Sequence, residues 1–159
     1  MSRTITGIIA IAAAAALYAG SVRLQPDLQA QQKPAGPLVE VFKSPTCGCC
    51  SQWVEHMRKA GFTVRTTDIN DLSQIKKSRG IPAEVQSCHT ATVSGYVVEG
   101  HVPPADVHRM LKEKPAIAGI AVGGMPIGSP GMETPYVKAE PYNVMSFDKN
   151  GTTRVFAKH

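Results

Sequence analysis

The sequence predicts a single α/β domain in which strands and helices alternate. Three observations carry that expectation. Short β-branched and aromatic runs recur along the chain, apolar residues at helical spacing separate them, and Gly or Pro marks most junctions. A length of 159 residues leaves room for one compact domain. With 43% hydrophobic and 18% charged residues, the composition excludes a wholly disordered chain. The net charge is +5, yet no like-charge block exceeds Lys76-Lys77, so the dispersed basicity argues against a nucleic-acid partner.

The N-terminal segment is predicted to stand apart from that domain. Arg3 precedes a nearly unbroken apolar run from Ile5 to Ala19. The run is short for a membrane span, which needs about 20 apolar residues, but it suits a secretory signal. Residues 1–20 are therefore expected to be a signal peptide cleaved after Ala19 or Gly20, with an uncleaved anchor as the alternative. Either way the remainder faces an exported compartment. Residues 21–37, rich in Gln, Pro, Ala and Gly, form an expected flexible linker, and residues 38–159 the folded domain.

The elements follow in order. Leu38–Lys43 (LVEVFK) is a β-branched and aromatic first strand, running into Ser44-Pro45-Thr46 and then Cys47-Gly48-Cys49-Cys50. From Cys50 onward Trp53, Val54, Met57 and Ala60 recur at helical spacing, with Thr46 the expected N-cap and Gly61 the stop. Phe62–Ile69 alternates as a second strand. Asn70 or Asp71 is expected to cap a short helix through Arg79 whose apolar side is Leu72 and Ile75, ended by Gly80-Ile81-Pro82. Thr90–Val93 and Tyr96–Glu99 are two short strands joined at Ser94-Gly95. Pro103-Pro104 opens a helix that turns Val107, Met110 and Leu111 inward and closes before Pro115. A Gly/Pro-rich stretch reaches Pro141. A hairpin then pairs Asn143–Phe147 with Thr152–Phe156 around Asn150-Gly151.

The order β-α-β-α-β-β-α is that of a thioredoxin-like domain, here extended by a C-terminal Gly/Pro/Met loop and the hairpin. It places Cys47-x-x-Cys50 at a helix N-terminus, where the macrodipole and free N–H groups favour a thiolate. In such folds the turn before the third strand packs against the CxxC loop and usually carries a cis-proline. Here that turn holds Ser87-Cys88-His89, and Pro82 lies several residues too early. Cys88 is therefore expected opposite the other three cysteines.

Four converging thiols beside an imidazole admit three readings. The first is a disulfide-braced module, since exported proteins meet an oxidising compartment. The second is a thiol–disulfide oxidoreductase with Cys47 as nucleophile and Cys50 as resolving thiol, which leaves Cys49 and Cys88 without a task. The third is a metal site that uses all four, because soft thiolates suit Cu(I) or zinc. Structural zinc sites usually offer two separated knuckles. Three ligands in one turn suit low-coordinate Cu(I) with bridging thiolates, and four can hold more than one ion. Met125 and Met132 sit in a Gly/Pro-rich loop without helical periodicity, so they are candidate thioether ligands as well as candidate gap-fillers. Met57 and Met110 fall on apolar helix faces and are assigned to the core, and Met145 is ambiguous. His89, beside Cys88, is the best imidazole candidate; His101, near the end of a strand, is expected at the surface with reach to the site as the alternative, and His56 and His108 are expected in solvent. No Ser/His/Asp arrangement, phosphate loop or paired carboxylates suggests hydrolysis.

Taken together, these segments resemble the CopG-type copper-resistance family, exported bacterial proteins long grouped as a domain of unknown function. The resemblance rests on the CGCC loop with Trp53, Gly61-Phe62-Thr63-Val64, Ser87-Cys88-His89-Thr90-Ala91 and Gly95 to Pro103. It includes Gly124-Met125-Pro126-Ile127-Gly128-Ser129-Pro130-Gly131-Met132-Glu133. It implies a thioredoxin-like fold, a periplasmic location and copper binding through Cys47, Cys49, Cys50 and Cys88 in the service of copper tolerance. A Cu(I)/Cu(II) redox role is proposed for the family. Ile127 stands where the family often has another Met. The partners so implied are copper ions and other exported copper-handling proteins. A membrane is involved only if the N-terminal segment is retained. The Gly124–Glu133 loop is expected to cover the site.

Overall fold

The computed structural model describes residues 36–159. The assigned signal peptide and all but the last two residues of the assigned linker lie outside the described residues. The element order is β1 (Leu38–Lys43), α1 (Gly48–Lys59), β2 (Thr63–Asp68), α2 (Ser73–Ser78), β3 (His89–Val93), β4 (Tyr96–Glu99), α3 (Pro104–Glu113), β5 (Gly119–Ala121), β6 (Asn143–Phe147) and β7 (Thr153–Lys158). A 3-10 turn, Ala83–Val85, lies between α2 and β3. The strands form one seven-stranded mixed sheet in the order β2-β1-β3-β4-β5-β6-β7. The α/β class read from the sequence is the class observed. Among the described residues no helix is long and apolar enough to cross a membrane.

Alternation along the strands sends side chains to the two faces of the sheet. Val39, Val41, Ala91, Val93, Val98 and Ile120 join Trp53, Val54 and Met57 of α1 and Val107 and Met110 of α3 in the larger core. The other face is smaller: Val97, Ala121 and Phe147 pack with Ile81 and Val85. Met57 and Met110 are fully buried, as their helical spacing indicates. Leu111 is half-buried against the larger core.

Three local readings change. Cys47, not Thr46, caps α1, because its extended backbone lets Sγ accept from the Cys50 N–H at 3.3 Å. In α2 the buried residue is Lys76, while Leu72 and Ile75 are only partly covered. The stretch expected to be Gly/Pro-rich loop contains β5. That strand is three residues long, too short for an alternation signal, and it exists because β4 and β6 flank it. Gly119 permits this, since a Cβ there would lie 2.3 Å from the Val97 carbonyl oxygen.

The pairing directions bring several loops to one end of the sheet. β3 runs antiparallel to β1, so its first residue, His89, lies beside Lys43 at the last residue of β1. β4 is antiparallel to β3 and β5 parallel to β4, so both end where β3 begins. The cysteine loop after β1, the Ser87-Cys88 turn, the Gly100-His101 segment and the loop after β5 therefore converge.

Candidate metal centre

At that end the thiol sulfurs of Cys47, Cys49, Cys50 and Cys88 all lie within 4.8 Å of one another. Cys47 and Cys50 are joined by a disulfide, and Cys49 and Cys88 are free. The Cys88 sulfur is 3.4 Å from Cys50 Sγ, across 38 residues of chain, and Cys49 Sγ is 3.5 Å from Cys47 Sγ. Cys50 is fully buried, and the other three are half-buried. Among the described residues there is no cis peptide, so the turn that faces the cysteine loop is built without a cis-proline.

A second donor set shares Cys88. Its sulfur lies 3.3 Å from His89 Nδ1 and 3.0 Å from His101 Nε2. His101 is fully buried, which corrects its expected surface position. Its Nδ1 lies 2.9 Å from the Pro130 carbonyl oxygen. A carbonyl only accepts, so Nδ1 carries the proton and Nε2 presents a lone pair to Cys88. This is the arrangement in which a ligating histidine is usually held. His89 is also fully buried, its ring centroid 4.5 Å from that of Trp53, and its Nε2 has no hydrogen-bond partner.

Burial sets the protonation states. Desolvation first, and then the proximity of Cys49, push the Cys88 thiol up to about 12. Desolvation holds His89 well below its ordinary 6.5, and His101 and Lys76 add to the effect. Desolvation also lowers His101. The centre is therefore two neutral imidazoles around a protonated thiol, and a bound cation would have to displace the thiol proton.

The Gly/Met loop closes the site from above. Gly131 (φ +88°) sits so close to α1 that a Cβ would lie 2.7 Å from the Cys49 carbonyl oxygen and 2.8 Å from the Trp53 nitrogen. Glu133 ties the loop to α1 through His56 Nε2 at 2.9 Å, so His56 is partnered and half-buried where solvent was expected. Met132 is half-buried, while Met125 is 51% exposed. His108 is exposed and stacks on Phe62.

A buried charge pair that no local sequence pattern signals lies below the turn. Glu99, fully buried, accepts from the Ser87 N–H at 2.7 Å and from Thr90 Oγ1 at 2.6 Å, and pairs with the buried Lys76.

A family model described as a protein family of unknown function, DUF411, matches residues 85–132, the stretch holding Cys88, both buried imidazoles and the covering loop. Two solved structures titled as the copper resistance protein CopG are similar over nearly their whole length. The one titled Form 2 has 38% identity and a TM-score of 0.74, covering 78% of this chain and 98% of its own. The one titled Form 1 has 38% identity and a TM-score of 0.72, covering 77% and 96%. No curated protein matches.

Proposed function

Because the chain belongs to the family of the copper resistance protein CopG, we propose that it is an exported, periplasmic copper-binding protein. In this reading Cu(I) is held by Cys47, Cys49, Cys50 and Cys88, in the service of copper tolerance. The observation that carries the reading is the convergence of four sulfurs within 4.8 Å at one end of the sheet. Thiolates are soft donors and select Cu(I) over harder cations. Enclosure beneath the Gly131 loop restricts competing thiols. The full donor set requires reduction of the Cys47–Cys50 disulfide, two electrons and two protons giving two thiols. Copper binding then releases the thiol protons.

The imidazoles extend the reading to a second oxidation state. Two neutral nitrogens facing one sulfur form a His2Cys set, which suits Cu(II). Cys88 belongs to both sets, so copper that changes oxidation state would exchange neighbours without leaving the site. Met132, half-buried in the covering loop, and Met125, exposed in the same loop, are auxiliary thioethers in this reading.

Anaerobic titration of the reduced protein with Cu(I), followed by metal analysis and EPR, tests this. At least one ion per chain is expected, and less than one overturns the reading. The Cys47–Cys50 disulfide favours a second reading, thiol–disulfide exchange with Cys47 as nucleophile. Cys88→Ser separates the two: copper retention is expected to be lost, whereas plain exchange through Cys47 and Cys50 would survive. Metal-free turnover in a disulfide-reduction assay would support the second reading.

A further inference from the structure

Glu99 and Lys76 form a buried ion pair on the smaller face of the sheet, with side-chain exposures of 0% and 10%. A buried pair is weak evidence for stability, since apolar residues of similar volume often serve as well or better. This pair does something an apolar pair does not. One carboxylate oxygen of Glu99 takes the Ser87 N–H at 2.7 Å together with Lys76 Nζ, and the other takes the Thr90 hydroxyl at 2.6 Å. Lys76 Nζ also donates to Thr90 Oγ1 at 3.1 Å, which closes the network. The Ser87 N–H lies just before Cys88, outside the β3 ladder, and the carboxylate is its acceptor.

Two further contacts meet at Ser87. Ser87 Oγ donates to the Gly124 carbonyl, joining the turn to the covering loop. Gly100, next to Glu99, has φ +70° and packs so tightly that a Cβ would lie 2.5 Å from Ser87 Cβ. Backbone bonds from Gly124 N–H to the Gln86 carbonyl (3.1 Å) and from Gly100 N–H to the His89 carbonyl (3.0 Å) flank the turn, and the Ser87 N–H between them is left to the Glu99 carboxylate.

We propose that Glu99, held by Lys76, is a positioning residue that sets the Ser87-Cys88 turn and so presents the Cys88 sulfur to Cys50 and to the two imidazoles. Its effect on copper rests on the copper-binding reading, but its effect on sulfur geometry does not. The two are measured separately.

The metal-free measurement uses the full chain with Cys47→Ser and Cys49→Ser, leaving Cys50 and Cys88 to form a disulfide. Equilibration with reduced and oxidised glutathione gives the effective concentration of that pair. Glu99→Leu with Lys76→Leu removes the acceptor but keeps the volume apolar, and is expected to lower the effective concentration about tenfold or more. Glu99→Gln with Lys76→Met keeps an oxygen acceptor for the Ser87 N–H and is expected to restore it to near the parent value. A folded Leu pair with the parent value overturns the proposal, as does a Gln/Met pair as low as the Leu pair. Should the Leu pair not fold, Glu99→Met with Lys76→Met takes its place, because methionine repacks more readily. In the four-cysteine chain, competition with a chromophoric Cu(I) chelator is expected to show a loss of about 10–100-fold for the acceptor-less pair only. A parent chain that takes up no Cu(I) overturns the copper reading and leaves the disulfide measurement to judge Glu99.

Discussion

At Cys88 the thiol proton is retained by burial, and the same burial keeps the imidazoles on either side neutral. The consequence for stability has a definite sign. His89 and His101 are harder to protonate in the folded chain than in the unfolded one, so the unfolded state binds protons first as the pH falls. Their contribution is present above their ordinary 6.5 and is lost below it. For the metal-free reduced protein, the urea midpoint is expected to fall between about pH 7 and about pH 5, and His101→Gln should flatten that fall. A flat midpoint in the parent would contradict the buried neutral assignment. His101 was more legible than its expected surface position suggests. The Ser94-Gly95 turn pairs Val93 with Tyr96 and Thr90 with Glu99. Carrying that register two steps past the strand ends puts His101 opposite Cys88. The buried Glu99 and Lys76 left no comparable signal: each has the composition of a surface residue, and only the packed sheet and α2 enclose them.

Between elements, the contact that closes the site is the Gly124–Glu133 loop against the first turns of α1. Trp53 anchors the underlying helix, fully buried, with its indole N–H donating to the Val102 carbonyl at 2.8 Å. Gly131 lies above it in the left-handed region, with no space for a methyl group. Gly131→Ala is therefore expected to cost about 1–3 kcal/mol in folding free energy, measured by denaturant unfolding. It should also make Cys49 react faster with a thiol reagent as the loop lifts. Unchanged stability and reactivity would show that the loop is not seated on the helix. The two helices with strong apolar periodicity, α1 and α3, were readable from sequence because each buries one continuous stripe. The strand β5 was not, because three residues between Ala118 and Val122 are too few to show a period, and its hydrogen-bonding partners come from elsewhere in the chain. The capping of α1 by Cys47 was displaced from Thr46 by one residue, a difference that follows from sulfur reaching the Cys50 N–H.

Across the whole molecule, a ligand that binds only the folded state adds stability by mass action. All four cysteines come together only when β1, α1 and β3 are assembled, so Cu(I) is expected to raise the thermal midpoint of the reduced chain. At a free concentration of about 1,000 times the dissociation constant the gain is about 4 kcal/mol, a shift of roughly 10 °C or more for a domain of this size. Cys88→Ser should remove most of that shift, and an equal shift in that variant would place copper elsewhere. The sequence by itself determined the α/β class, every strand except β5, the two longer helices and the convergence of Cys88 on the Cys47–Cys50 loop, because these depend on local periodicity, turn chemistry and element order. The tertiary structure decided which groups surround Cys88. The approach of His101, the seating of Gly131 on α1 and the burial of Glu99 with Lys76 all arise from strand direction and packing across long chain separations. No local pattern encodes such contacts, since their energies exist only once distant segments exclude water together.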